Sequence, residues 1–596
     1  MVETFQNYHQ KHSLSSQTNE RKSFRLSLLR GAAFIVGSLL FITYFRASIP
    51  FLWVGALTAY IVFYWLYLKH KQVEAAKHLD DTLTKINEEE IKKAALDLGS
   101  FEEGQEFIEP NHPYQIDLDI FGKHSLYQLV NRCELYGSKE QLAHWLSKPG
   151  STKEIGKRQE AVKELAPKTE WRQHLQATIR IAQSTKKKRD PDISPEDLTR
   201  WISGMDVELN ARFWRVLSIV LTSTTIMTLL AITLGPWPYQ SIYLPLIASA
   251  IFLGFGAKKL TELTQNMTKA FYLVHSYAAA LRMVEATKFE SSRMTFLQSQ
   301  LRFERESATV YVEQLAKLTH RLGARSNMLY AILDIPFLLD NHLLLDILNW
   351  KKQHYGHLQT WMEVIHEIEC LMSIAGFSFS NPTFSFPEIK QSFTFSAQQI
   401  GHPLITDKEK IKNDYSIEGK GSVDVITGSN MSGKSTFERT IGINMVLAQA
   451  GCPVDAESLN MSPAQVFTSM RTSDNLEEHT SSFYAELKRI VLMLETVENQ
   501  SSTFFILDEI LKGTNSQDRH AGSVALIKKL IGKNAFGLIS THDLELGSLE
   551  TEHPSVRNFS FNSTLENDKI IFDYKLTEGV CRSFNASQLM KNMGIL

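Results

Sequence analysis

The sequence predicts a chain that is all-α for most of its 596 residues, carries two apolar helical hairpins, and closes in an α/β domain. Three observations predict this. Two stretches of the chain are long, apolar and nearly free of charge. The segments around them show apolar residues at helical spacing. From about residue 386 the texture changes to short apolar strands punctuated by Gly, Asn and Asp. The resulting division is a cytoplasmic N-terminal tail (1–30), a first transmembrane hairpin (31–68), a helical core segment (69–212), a second transmembrane hairpin (213–258), a helical lever or core region (259–385) and a C-terminal α/β domain (386–596).

The hairpins follow from hydropathy. Val216 to Ala257 contains no Asp, Glu, Lys, Arg or His, and as one helix it would span about 60 Å, twice a bilayer core. Gly235-Pro236-Trp237-Pro238 stands at its midpoint, where the chain can turn. Near the N-terminus, Gly31 to Phe45 and Ala47 to Leu68 are uncharged and separated only by Arg46. Arg21, Lys22, Arg25, Arg30, Lys69, Lys71, Arg212, Arg215, Lys258 and Lys259 flank the hairpin bases, whereas the tips carry only Arg46. Positive-inside logic then gives a multi-pass inner-membrane protein with four spans and with both termini and the α/β domain in the cytoplasm.

Composition narrows the rest. Lys+Arg 63 against Asp+Glu 65 gives a formal charge of -2, so no global basic surface announces nucleic acid. The one basic run, Lys186-Lys187-Lys188-Arg189, reads first as a solvated loop. Cys133, Cys370, Cys452 and Cys581 form no CxxC pair and read as packed thiols. Leu260, Leu263, Met267, Ala270, Val274, Tyr277, Leu281 and Val284 alternate spacings of three and four, which predicts a helix packed on its neighbours or a lever leaving the membrane.

Chemistry concentrates at the C-terminal end. Ser422 to Ile426 alternates like a strand, and Gly428-x-x-x-x-Gly433-Lys434-Ser435 completes a Walker A loop. In such a loop backbone N–H groups of Gly428, Ser429, Asn430, Met431, Ser432 and Gly433 wrap phosphates at a helix start. Lys434 supplies a point charge, and the Ser435 hydroxyl, followed by Thr436, can ligate Mg²⁺. Downstream, Phe504-Phe505-Ile506-Leu507 reads as a buried strand ending in Asp508-Glu509. Asp508 is positioned to hold the Mg²⁺ shell and Glu509 to polarise an attacking water. A further strand, Ala535 to Ser540, runs into Thr541-His542-Asp543, which places His542 to sense the γ-phosphate. Together these predict an ABC-type P-loop ATPase using ATP and Mg²⁺. A transporter would carry an LSGGQ-like signature before the second acidic strand; this chain has "FTSMRTSDNLEEHTSSFYAELKRI" there.

That stretch and its neighbours resemble the MutS DNA mismatch-repair family. "TGSNMSGKST" is similar to the family's TGPNMGGKST, "DEILKGTNSQDR" to DEIGRGTST-DG, and "STHDLEL" to ATHxxEL. "GHPLI" resembles the RHP element, "EGVCRSFNASQLMKNMGI" the closing helix region, and residues 125–165 the helical core segment. The resemblance implies that Gln449, in "LAQAGCPVDAESL", lies near the metal. It also implies that Ser481, in "SDNLEEHTSSFYAE", reaches the nucleotide of an opposite subunit in a homodimer formed through the ATPase domains. The implied partner is mismatched or branched DNA; the alternative is a membrane ATPase switch that acts on a protein assembly. Departures from the family are specific. Phe107-Ile108-Glu109 matches the mismatch-reading Phe-x-Glu without a domain around it, Lys410 and Ile411 stand where an adenine-stacking aromatic is expected, and Lys512 and Leu511 replace an arginine and a glycine.

Overall fold

The structure is a computed structural model that describes all residues except 48, 50, 185–209, 266, 304–305, 391–392, 430, 471–481, 567–568 and 582–596. The basic run at 186–189, Asn430, Ser481 with the segment before it, and the closing "RSFNASQLMKNMGI" therefore lie outside the described residues.

Helices Val2–Ala47 and Phe51–Ala94 pair along their length as one antiparallel hairpin. The polar first 30 residues thus form nearly two thirds of one helix, and the change at residue 30 is one of polarity alone. Their partner explains why. Asp80 accepts from His12, Ser15 and Asn19 at 2.9, 2.6 and 3.1 Å, and Glu74 accepts from Ser23 at 2.8 Å, so the stem is zipped by hydrogen bonds where the tip is apolar. Helix Ala211–Leu234 turns at Gly235 and pairs with Tyr243–Gln265, where Trp214 and Phe252 stack with centroids 4.7 Å apart. Among the described residues three helices, Val2–Ala47, Phe51–Ala94 and Ala211–Leu234, are long and apolar enough to cross a membrane; at the fourth expected span the apolar helix is the shorter Tyr239–Phe255.

The helical core is organised around Leu339–Ser380, a 42-residue helix buried almost continuously from Trp361 to Phe377. Two buried carboxylates of this core show how charge is accommodated there. Glu369 accepts from the backbone N–H of Glu134 and Leu135 and from the Ser138 hydroxyl, and burial still raises its carboxyl to about 7. Arg132 forks onto Glu90 at 2.6 and 2.8 Å. Of the heptad stripe, Val274, Tyr277, Leu281 and Val284 are buried in this core, which is the packing reading of that pattern. Phe107 packs against Phe121, Tyr127 and Tyr136, so its side chain is a core contact and no wedge. All four cysteines are buried thiols outside any disulfide.

The C-terminal domain holds a six-stranded sheet in the order Lys569–Glu578, Val556–Glu566, Val423–Gly428, Ala535–Thr541, Thr503–Asp508, Gln465–Ser469, parallel except for the first pair. The central strands are buried on both faces, as in a sheet covered on both sides. Gly537 is forced by contact: a Cβ there would lie 2.0 Å from the Phe505 carbonyl oxygen. A second, four-stranded sheet (Glu388–Ile389, Ser458–Met461, Thr394–Ile400, Asn413–Glu418) packs on the same core. The loop 112–119 of the helical part clamps this domain. Thr468 N–H donates to Pro113 O at 2.9 Å, Asp117 accepts from the Thr468 hydroxyl at 2.7 Å, and Arg489 donates to Pro113 O at 2.6 Å.

Candidate functional site

The parallel register brings the strand ends together. Ser540 pairs with Asp508 and Thr541 with Thr427, so Gly428, Asp508 and His542 emerge side by side at one edge, where parallel sheets place ligands. Gly428 leads into the loop and Lys434 opens helix Lys434–Ala450. The turn needs left-handed backbone at Met431 (φ 68°) and Gly433 (φ 103°). A Cβ on Gly433 would meet the Tyr574 ring at 2.9 Å. Lys434 is buried and donates to the carbonyls of Gly428 and Ser429 at 2.7 and 3.1 Å; desolvation lowers its pKa. Ser432 is buried with no hydrogen-bond partner for its hydroxyl.

The acidic edge is equally ordered. Asp508 accepts from the Ser435 hydroxyl at 2.6 Å through one oxygen and from Ser540 at 2.6 Å through the other. This all-oxygen donor set of serine hydroxyl and carboxylate suits Mg²⁺. Glu509 takes φ 50° and its carboxylate meets His542 Nε2 at 2.6 Å and Lys512 Nζ at 3.2 Å. The hydrogen bond from His542, with Lys512 beside it, lowers the Glu509 carboxyl to about 2. Leu511, where the resembling family has glycine, adopts φ 61° and donates its N–H to Glu486. Such a conformation costs about 1 kcal/mol in a residue with a Cβ. Beneath the loop Glu438 is fully buried, and desolvation with the nearby Asp508 charge pushes its carboxyl well above the usual carboxylate range.

One expected site residue lies elsewhere. Gln449 is on the last turn of the Lys434–Ala450 helix, about 21 Å along the axis from Ser435, and its buried amide oxygen accepts from Ala464 N–H at 3.0 Å. It braces the following strand and does not approach the Asp508 centre. Conversely, a cavity of about 440 Å³ opens beside Gly433 and Thr436, lined by Ile411, Phe437, Phe561 and Tyr574. Its aromatic wall, Tyr574, comes from the edge strand Lys569–Glu578 and is fixed through Asn413, whose side chain donates to Tyr574 O at 3.1 Å. Lys410 also lines the cavity, and its ammonium pairs with Asp455 at 2.6 Å.

A parallel-sheet α/β domain with a glycine-rich loop, a hydroxyl–carboxylate pair and a strand-end histidine at one edge is the class of structure these features define. Residues 424–592 match the family model for MutS domain V. The C-terminal domain is thus similar to MutS domain V, and a helical region precedes it. Similar curated proteins include MutS protein homolog 4 of Mus musculus, 28% identical over 363 residues, which cover 56% of this chain and 36% of that protein. MutS protein homolog 4 of Homo sapiens is 29% identical over 39% of this chain and 26% of its own length. DNA mismatch repair protein MutS of Listeria innocua serovar 6a is 29% identical over 54% of this chain and 37% of its own length. The matched part of the chain thus spans about a third of each of the two longest of these matches.

Proposed function

We propose that this chain is a membrane-anchored, Mg²⁺-dependent ATPase of the MutS type that acts on mismatched or otherwise irregular DNA. The observation that carries the ATPase reading is the convergence of Lys434, Ser435, Asp508, Glu509 and His542 at one sheet edge within the domain V match. In this reading the loop from Gly428 to Thr436, with Asn430, Met431 and Ser432, cradles the triphosphate, and Lys434 turns from its own loop carbonyls to the phosphates. Ser435 and Asp508 hold Mg²⁺, which when bound neutralises phosphate charge. Tyr574 and Ile411 wall the base.

Glu509 positions the attacking water. A carboxylate held near 2 is a weak base, so its activation requires that His542 exchange its bond to Glu509 for one to the γ-phosphate. Ser481 of a second copy completes the site in a head-to-tail homodimer. The two hairpins hold the protein in the bilayer as a multi-pass protein with the ATPase domain cytoplasmic; the exposed apolar surface of Ala211–Leu234 supports this.

Titrating homoduplex, mismatched and branched DNA against the detergent-solubilised protein across a salt series tests the DNA part. Binding with a negative log–log salt slope and DNA-stimulated ATP hydrolysis is expected. A slope near zero with no stimulation rejects it and favours the second reading, a nucleotide switch acting on a protein assembly. The near-neutral charge of the chain favours that second reading.

A further inference from the structure

We infer that the helix–turn Met328–Leu339 is a further membrane-inserted element, a re-entrant segment whose outer face lies against lipid acyl chains. The inference rests on the bilayer anchoring proposed above. The segment is only a ten-residue helix, Met328–Phe337, and it contains Asp334, so hydropathy passes over it.

Its polarity is inverted relative to a helix facing water. Met328 is 80% exposed, Ile332 57% and Leu333 46%, whereas Asp334 and the following Asp340 are 7% and 3% exposed. A water-facing surface would put the acids outside and the leucines inside. The acids are also fully occupied from within. Asp340 accepts from Arg325 at 2.7 and 3.0 Å and from the Tyr330 hydroxyl at 2.9 Å. Asp334 accepts from the Asp340 N–H at 2.9 Å, and Leu338 N–H donates to Asp334 O at 2.7 Å across a turn with φ 48°. Non-helical backbone is tolerated at membrane depth only when its polar groups are satisfied in this way.

The depth follows from the second hairpin, on which the segment packs. The Thr222 hydroxyl donates to Phe337 O at 3.4 Å, while Arg215 lies 3.5 Å from Asp346. Thr222 is seven residues further along its helix than Arg215, so the turn reaches about 10 Å beyond the charged base of the hairpin. The apolar faces of the segment and of Ala211–Leu234 are therefore continuous at one level.

The test uses full-length protein in nanodiscs of phosphatidylcholine and phosphatidylglycerol containing doxyl-labelled phosphatidylcholine. The native cysteines are all buried, so single cysteines at Ile332, Leu229 and Gln359 carry the fluorophore selectively. The expected result is that doxyl lipid quenches the Ile332 and Leu229 labels to a similar degree and severalfold more than the Gln359 label. If Leu229 is quenched and Ile332 is not, the re-entrant assignment is overturned while the anchoring stands, whether water or a second copy covers the face. If neither is quenched, the anchoring itself fails. A cysteine at Met328 reads the same face should I332C not fold.

Discussion

Replacing Glu509 by Gln probes the proposed chemistry most directly. The carboxylate meets His542 at 2.6 Å and Lys512 at 3.2 Å, and it is lowered from 4.5 to about 2. At about 1.36 kcal/mol per unit that is roughly 3 kcal/mol, reduced to on the order of 2 kcal/mol because the pair is partly open to solvent. The sign follows from the lowered value: this stabilisation is present above the unfolded value near 4.5 and is lost as pH falls toward 2. Glutamine keeps the shape and one hydrogen bond to His542, so at pH 7 a fall in Tm of a few degrees is expected. The rate effect is much larger. Removing a general base costs about 10²–10⁴-fold. Nucleotide binding, followed with a fluorescent ATP analogue, is expected to be unchanged while single-turnover hydrolysis of radiolabelled ATP collapses. Wild-type turnover by E509Q would refute the assignment of Glu509.

Two further outcomes check other parts of the structure. Tyr574→Ala is expected to weaken ATP binding by about 1–3 kcal/mol, as for loss of an aromatic stacked on a base, and to leave tripolyphosphate binding unchanged; equal weakening of both would place Tyr574 outside the base pocket. Lys93 is buried, donates to Asn131 O, and is lowered from 10.5 to about 7 by desolvation and by Arg132. The unfolded chain therefore holds a proton that the folded one releases between about 7 and 10.5, and wild-type stability rises with pH across that window. Lys93→Met is expected to raise stability by about 2–4 kcal/mol at pH 6 after loss of one hydrogen bond, with the gain fading toward pH 10. A pH-independent or destabilising effect in detergent melts would contradict the burial argument.

That the Walker A loop, Asp508, Glu509 and His542 stand at neighbouring strand ends was legible because each is a local pattern at the end of its own strand, and parallel register aligns those ends without further information. Tyr574 was not, since Asn413 and Tyr574 are 161 positions apart and meet only through an edge strand. Gln449 was misplaced because motif proximity in sequence ignores the length of the intervening helix, whose 17 residues carry it to the opposite end of the domain. Residues 1–30 looked like a tail because their polarity makes sense only opposite Asp80 and Glu74. Met328–Phe337 escaped notice because its aspartates lower the hydropathy that their partners neutralise.

The helix Leu339–Ser380 begins beside the second hairpin and ends inside the helical core, without a break. No point along it separates the apolar hairpin from the helical core. A truncation that excises residues 211–265 to obtain a detergent-free protein would uncover Phe337 and the first turns of the helix on which the core is built. The apolar hairpin and the body that carries the strand-edge site are, in this chain, one continuous piece that has to be expressed, purified and studied whole.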